Sequence, residues 1–494
     1  MTGSLGEKGS PDPEFEHEVS DHEATVGESN CATEEIAPKR GNWYRGNVFQ
    51  ITILGLCSFL CPGIWGAMAA TGGGGQQTIT LVNAANSSTF SLMVVTALIT
   101  SSLIVVTNIR FTLILGTLGF APNVAALYTH GKFGTEWFVI FGAVLCGISA
   151  GIFWATEGTI ALAYPERSRH GIYISYWLMY RVMGQLLGGA INLGLNAKSD
   201  EKGKLSDDTY VVFIVLQCLG PLVAALISLP HQVQRADGTP VVLGLRPTFL
   251  QELKATLMTF TQREVYLLIP MFWQSTYLES AIGTYVGNNF TVRARALGSL
   301  LAAIVASISN YVLGGYLDWQ RLSIRTRART AFVALYTIQV GWYVFAIVMS
   351  NRYQKPHKAI DWSDGNFHGA FAVYVLLQMG YNMTYAYTYW IVGASASKGS
   401  SITRKASIVR AVESAGQAVA YGISSTDIRM DSTFGIVLAF CTFSIPFSWL
   451  VVRRVGYASD GSLLYKMPLY AETEEQRAKI AVDSNVNNND VLGK

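Results

Sequence analysis

The sequence predicts an all-α polytopic membrane protein with twelve transmembrane helices in two pseudo-symmetric six-helix halves. Of its 494 residues, 50% are apolar and only 14% are charged, whereas soluble domains are about 25% charged. Apolar segments recur along the chain, and many of them reach the roughly 20 residues that a bilayer-crossing helix needs. A helix with a polar and partly charged stripe also occurs once in each half, as is typical of membrane proteins built from internal repeats.

The first copy of that pattern lies in two apolar helices at 137–163 and 172–196, joined by the basic turn YPERSRHG. Glu157 lies inside the first helix and Arg181 inside the second. The second helix carries a polar stripe at steps of three or four residues, made of Trp177, Arg181, Gln185, Gly188 and Asn192. In lipid such a stripe turns toward other helices or a wet cavity. Gly184 and Gly188 have the spacing that lets helices approach closely.

The second copy is Glu413-Ser-Ala-Gly416-Gln417, which aligns with Arg181-Val-Met-Gly184-Gln185. Its helix again carries a polar stripe, made of Arg410, Glu413, Gln417, Tyr421 and Ser424. Both copies follow a long apolar helix and a basic turn. We interpret the two copies as equivalent helices of two related halves.

The chain divides into five regions. Residues 1–44 form an acidic tail whose composition predicts disorder. Residues 45–229 hold spans at 47–70, 88–108, 111–129, 137–163, 172–196 and 210–229, and residues 264–455 hold spans at 265–285, 296–316, 328–349, 367–393, 404–425 and 434–452. A polar central loop at 230–263 includes LQELKATLMTF, which predicts a short interfacial helix. Residues 456–494 form a polar tail.

The distribution of lysine and arginine sets the predicted orientation. These residues favour the loops that share a side with both termini, which places the termini and the central loop in the cytoplasm. Two sequons, at Asn86 and Asn289, fall in predicted outer loops and are candidate N-glycosylation sites. The sequence leaves open whether the host is the plasma membrane or an internal membrane.

The turn after the eighth span contains Gly314-Gly-Tyr-Leu-Asp318-Trp-Gln-Arg321, and the turn after the second span, VVTNIRFTLILG, lacks the aspartate. The first of these resembles the loop motif of the major facilitator superfamily. The stretches FWATEGTIALAYPERSRHGIYISYWLMYRVMGQLLGGAINLGLN and LGGYLDWQRLSIRTRAR resemble its uncoordinated-93-like branch, especially the fungal members. The resemblance covers roughly 45–455 and implies an integral membrane protein. It leaves open transport, channel regulation and receptor escort, and it makes the Asp318 motif a conformational latch.

Ionisable residues inside membrane spans usually have a role, so each charged candidate has two interpretations. Glu157 and Arg181 lie at depths that permit an ion pair, either a static one or one that serves gating or substrate binding. Glu279 lies near the middle of the seventh span, where a carboxyl group can carry a proton or serve as a neutral hydrogen-bonding group. Arg410 and Glu413 are three residues apart and can neutralise each other.

One side of the tenth span combines aromatic and polar residues: Gln378, Tyr381, Asn382, Tyr385 and Tyr389. Aromatic rings with a few polar groups suit a mainly apolar ligand. The alternative is ordinary packing, with the tyrosines near the membrane interface.

Two functions of different class follow. The sequence has no nucleotide-binding motif, hydrolase triad, metal-ligand spacing or basic stripe for nucleic acid, so we expect no enzyme, cofactor or bound metal. The first hypothesis is a secondary transporter that moves a small organic solute by alternating access, either coupled to a gradient such as that of protons or by facilitated diffusion. The alternative is a non-transporting membrane regulator or trafficking escort that retains the fold.

Overall fold

The protein is helical throughout its predicted spans. The computed structural model describes residues 42–70, 79–196, 207–352, 359–395, 402–426 and 428–457. Each of the twelve predicted spans corresponds to helix in this part of the chain. The acidic tail up to residue 41 and the C-terminal tail beyond residue 457 lie outside the described residues.

The first six spans are formed by nine α-helices. They are α1 (Asn47–Ser58), α2 (Ile64–Ala70), α3 (Ile79–Val106), α4 (Ile109–Thr117), α5 (Phe120–Phe133), α6 (Glu136–Ala163), α7 (His170–Asn196), α8 (Asp207–Cys218) and α9 (Gly220–Ala224). A π-helical turn at Phe59–Gly63 joins α1 to α2 and contains Pro62. A proline within a helix has no N–H to donate, so the local hydrogen-bond pattern changes at this point.

The central loop and the last six spans follow. They are formed by α10 (Phe249–Thr259), α11 (Arg263–Tyr266), α12 (Ile269–Asn289), α13 (Val292–Leu317), α14 (Ile324–Arg352), α15 (Phe367–Ala394), α16 (Ile402–Ser424) and α17 (Met430–Val452). Helix α10 confirms the short helix predicted in the central loop. Thr248 caps its N-terminus, since the hydroxyl accepts a hydrogen bond from the Gln251 N–H at 3.4 Å.

The bundle exposes apolar side chains on its outer surface and buries charged side chains within a mainly apolar core. Eight helical segments of the described chain are long and apolar enough to cross a bilayer; α7, α12, α15 and α16 are not among them, because these helices carry much of the buried polar sequence. Val312 and Phe443 are exposed on the outer surface, whereas Arg181, Arg410 and Glu413 are buried. The protein is therefore a multi-pass integral membrane protein that lies in a lipid bilayer.

Two pairs of helices make the most extensive contacts between the first six spans and the last six. Helix α3 packs along α16, and α7 packs along α13. Asn83 on α3 donates a side-chain hydrogen bond to the carbonyl oxygen of Ser424 at 2.8 Å. The Ser175 hydroxyl on α7 donates to the carbonyl oxygen of Asn310 at 2.7 Å. We call the region between these two pairs the seam.

The structure corrects the placement of one of the two predicted glycosylation sites. Helix α3 begins at Ile79 rather than at residue 88, so Asn86 lies inside it. Polar residues at this end are stabilised by the facing helix, since the Ser87 hydroxyl donates to the carbonyl oxygen of Ala418 at 2.9 Å. Asn289 is the last residue of α12 and only 6% exposed. The placement of Asn86 in an outer loop was wrong, whereas the sequon of Asn289 runs from the end of α12 into the loop before α13.

Small residues let α7 approach the first span, as the sequence predicted. A Cβ atom on Gly184 would lie 2.5 Å from the carbonyl oxygen of Phe59 and 2.8 Å from the Cα of Gly63. A Cβ on Gly188 would lie 2.3 Å from the Cβ of Ala67. These separations are too short for non-bonded atoms, so the helices can pack this closely only with glycine.

We expect Gly184→Ala to lower the apparent melting temperature of the purified protein, because the added methyl overpacks a tight contact at a cost of about 1–3 kcal/mol. Gly341→Ala on α14 is the matched control, since a Cβ there meets nothing within 4 Å. The control should be neutral or slightly stabilising, because alanine has the higher helix propensity. Equal melting temperatures for the two variants would contradict the close approach.

Candidate functional site

A cavity lies at the seam between the first six spans and the last six. Its empty space, counted together with the solvent at its open side, is about 460 Å³. Six predicted site residues line it: Arg181, Gln185, Glu279, Tyr381, Arg410 and Gln417. The rest of the wall is mainly apolar and includes the aromatic side chains of Trp65, Phe90, Phe120 and Trp154. A largely apolar wall with a few polar groups is typical of a small-molecule site.

A chain of hydrogen bonds crosses the last six spans beside the cavity. The Arg410 guanidinium pairs with Glu413 at 3.3 Å and donates to the Gln417 side-chain oxygen at 3.1 Å. The Gln417 amide donates in turn to Glu279 at 2.5 Å, and the Tyr381 hydroxyl donates to the same oxygen at 3.3 Å. The predicted pairing of Arg410 with Glu413 is confirmed. Glu279 is bound by two neighbouring helices and still lines the cavity.

Arg181 is held mainly by an amide and by aromatic rings. Its Nη2 donates to the side-chain oxygen of Asn382 at 3.2 Å. The guanidinium carbon lies 4.8 Å from the ring centre of Tyr385 and 5.9 Å from that of Tyr381. Aromatic faces attract cations, and the attraction grows when water is excluded. The rings therefore help to stabilise a charge that is only 6% exposed.

Sequence reasoning missed Trp154, which links the two arginines. The Arg181 guanidinium carbon lies 5.4 Å from the indole centre and that of Arg410 lies 4.6 Å from it. Trp154 precedes Glu157 by three residues on α6, so the two share a helix face. This spacing of three residues could have indicated that Trp154 belongs to the site.

The predicted ion pair of Glu157 with Arg181 is wrong. Glu157 is fully buried, and its Oε1 accepts a hydrogen bond from the indole N–H of Trp177. The same N–H lies 3.1 Å from the Ser58 hydroxyl oxygen. Among the described residues, no ion pair joins Glu157 to Arg181. Trp177 lies four residues before Arg181, one turn away on the same face of α7, and it reaches the carboxylate instead.

The remaining predicted residues divide by position. Gln185 lies in the wall and packs against the first span, where a Cβ on Gly66 would be 2.5 Å from its Nε2. Tyr385 and Glu413 are fully buried behind the wall. Asn192 belongs to α7, but its side chain lies outside the described residues. Tyr381 and Tyr385 of α15 lie against the guanidinium of Arg181.

At the end of the bundle where the central loop lies, Asp318 caps the N-terminus of α7. Its carboxylate oxygens accept hydrogen bonds from the backbone N–H groups of Gly171 at 2.8 Å and Ile172 at 2.7 Å. A helix N-terminus favours negative charge. Burial raises the pKa of Asp318 to about 6, although the two backbone hydrogen bonds act against this shift. Gly314 permits the contact, because a Cβ there would lie 2.7 Å from the Gly171 carbonyl oxygen. Arg321 is exposed in the following loop.

A second contact at the same end was not predicted. Both oxygens of Glu252 on α10 accept hydrogen bonds from Arg404 on α16, at 2.8 and 2.6 Å, and the two side chains are 0% and 7% exposed. On the next turn of α10, the hydroxyl of Thr256 lies 2.8 Å from that of Ser101 on α3. Helix α10 thus connects α3 to α16. This contact lies near the turn after α3, in which the loop motif lacks its aspartate. We call this contact the α10 clasp.

Similarity to known proteins agrees with this architecture. A family model described as "Ion channel regulatory protein UNC-93" matches residues 84–351. Notoamide biosynthesis cluster protein O' of Aspergillus versicolor is 42% identical to this chain over 422 residues, which is 85% of the chain and 91% of that relative. The chain belongs to the UNC-93 family. UNC93-like protein 1 of Arabidopsis thaliana is 27% identical over 88% of the chain and 96% of its own length.

A solved structure supports the fold. The proton:xylose symporter XylE, of the major facilitator superfamily and bound to 6-bromo-6-deoxy-D-glucose, resembles this UNC-93 member with a TM-score of 0.62. The match covers 85% of this chain and 99% of that one, at 10% sequence identity. At this identity the likeness shows the fold alone. The predicted major facilitator fold and the predicted family are both confirmed.

We expect Glu252→Leu or Arg404→Leu alone to lower the unfolding free energy by about 3–5 kcal/mol, since each leaves one buried charge without its partner. The double variant should recover most of that loss in thermal melting of the purified protein. The exposed pair Arg429 and Asp431, 2.8 Å apart with the arginine 63% exposed, is the matched control. The same double-mutant cycle at this exposed pair should give a coupling energy of about 0–1 kcal/mol. Additive effects in the Glu252 and Arg404 cycle would show that the clasp is not a coupled pair.

Proposed function

We propose that this UNC-93 family member is a secondary transporter that moves a small organic solute across its membrane by alternating access. The observation that carries the proposal is the cavity at the seam, whose wall holds two buried arginines, a carboxylate and several aromatic rings. Burying such charges is expensive in a membrane protein and usually accompanies a ligand or ion pathway. The A. versicolor relative is named for a biosynthesis cluster, which agrees with an organic solute as cargo.

Alternating access needs contacts that form on one side of the cavity and release in turn. The cap of Asp318 on α7 and the α10 clasp both lie at the central-loop end. In the proposal they close this end in the present conformation and separate when the cavity opens there. We further propose that this end and both termini face the cytoplasm, in line with the lysine and arginine distribution. The two groups of six spans are the proposed moving halves.

Glu279 is the proposed coupling residue. It is partly buried, lines the cavity and accepts hydrogen bonds from Gln417 and Tyr381. A proton on this carboxylate would change its hydrogen bonds to α15 and α16, so protonation and helix position would be linked. Glu413 is the alternative carrier, although it is fully buried and paired with Arg410.

A second candidate function is regulation of another membrane protein. The description of the matching family model, an ion channel regulatory protein, is the observation that favours it. In that case the fold is retained without solute movement, and the cavity does not change its exposure.

The experiment begins with untargeted metabolite comparison of cells that lack or overproduce the protein, inside and outside the cell. The solute that changes is then supplied to proteoliposomes with and without a pH gradient. Glu279→Gln should retain solute exchange at equal pH but lose uphill accumulation, because glutamine has the shape of the protonated acid and cannot release a proton. Glu136→Gln is the matched control, since Glu136 is exposed at the start of α6. It should behave like the parent.

Two results would count against parts of this proposal. Uphill accumulation by Glu279→Gln equal to that of the parent would move the proton to another group, with Glu413 next. No metabolite change, together with no uptake of any solute by the parent protein, would favour the regulatory function.

A further inference from the structure

We propose that the cavity binds a small aromatic monocarboxylate, with the carboxylate on Arg181 and the ring among the aromatic side chains of the wall. The inference deepens the proposed transport function and rests on it for its biological role. Binding itself can be measured separately from transport.

Arg181 is the cation at the cavity that has no anionic partner. Among the described residues, no carboxylate lies within ion-pair distance of it. Its Nε has no hydrogen-bond partner, although the residue is only 6% exposed. A buried polar atom left without a partner is costly, and such a group often waits for a ligand or an ion. A carboxylate is the planar anion that matches a guanidinium edge.

The other arginine differs in having an anionic partner, although its Nε is also without a hydrogen-bond partner. Arg410 pairs with Glu413 and donates to Gln417. The Arg410 guanidinium lies against the Trp154 ring in the cavity wall, and its positive charge still repels a cationic ligand from this side of the cavity. The two arginines therefore have different roles: Arg410 belongs to the internal hydrogen-bond chain, and Arg181 offers its charge to a ligand.

The charges in the wall indicate a single negative charge on the ligand. Arg181, Arg410 and Glu279 are the ionisable acidic and basic side chains that line the cavity. Glu413 already offsets the charge of Arg410, so Arg181 is the one cation of the described wall that a ligand anion can pair with. A monoanion matches this single cation, whereas a dianion would leave one charge unpaired.

The rest of the wall indicates an aromatic body. Five aromatic side chains line the cavity: Trp65, Phe90, Phe120, Trp154 and Tyr381. Aromatic rings favour stacked or edge-to-face contact with another ring.

The test is calorimetric binding to the purified full-length protein with matched pairs of probes. Benzoate and cinnamate are compared with benzamide and cinnamamide, which keep the ring but carry no charge, and with benzylamine, which is a cation. We expect the parent to bind each acid roughly 10- to 100-fold more tightly than its amide, as a charge-assisted hydrogen bond predicts. Benzylamine should not bind.

Three variants assign that preference to Arg181. Arg181→Gln should remove the difference between acid and amide, and Arg181→Lys should keep part of it, because lysine retains the charge without the planar fork. Arg429→Gln is the control, since Arg429 is exposed and lies outside the cavity wall. If Arg181→Gln does not fold, the comparison of acids with amides in the parent and in Arg181→Lys still tests whether Arg181 binds the carboxylate.

The outcomes separate this inference from the proposed function. Equal binding of acid and amide by the parent, an acid preference that survives in Arg181→Gln, or no binding of any acid at millimolar concentration would overturn the carboxylate site. Acid-selective binding without uptake in proteoliposomes supports the site and contradicts transport. Uptake of another solute that Arg181→Gln leaves unchanged supports transport and contradicts the site.

Discussion

Charged side chains inside an apolar bundle must find partners within the protein, because lipid cannot solvate them. The arrangement around α16 follows from this constraint. Arg410 pairs with Glu413, and Gln417 extends the contact to Glu279 on α12. These bonds fix how α12 and α16 face each other and keep polar groups around the cavity. Arg181 satisfies the constraint only in part, through Asn382 and aromatic rings, which leaves it the one cation of the described wall that still lacks an anion.

Two different contacts restrain the central-loop end of the bundle. On the α7 side, the carboxylate of Asp318 binds the backbone amides that a helix start leaves unpaired. On the α16 side, where the loop after α3 has no equivalent aspartate, α10 supplies Glu252 to pair with Arg404. The charge that restrains this side therefore comes from the central loop. A change in that loop would then alter the contact of Glu252 with Arg404 and leave the Asp318 cap intact.

The sequence predicted the helical spans, the family and the membrane location because these depend on local patterns of apolar residues and short motifs. It also predicted six residues of the cavity wall, all of them with polar groups, since polar stripes at helical spacing must face inward. It could not predict partners across helices, because depth along two helices does not fix their rotation: Glu157 meets Trp177 rather than Arg181. Asn86 was misplaced for a related reason, since polar residues that read as loop are stabilised by a facing helix.

The account depends on a cavity that opens in turn to each side of the membrane, and Cys146 in its wall offers a native probe. The measurement uses a variant that keeps only this one of the six cysteines, reconstituted in vesicles and treated with an impermeant thiol reagent from either side. A variant that keeps only Cys441, which is buried like Cys146 but lies outside the cavity wall, is the control. The account predicts that Cys146 reacts from both sides and Cys441 from neither. Reaction of Cys146 from one side only, or from neither, would contradict alternating access.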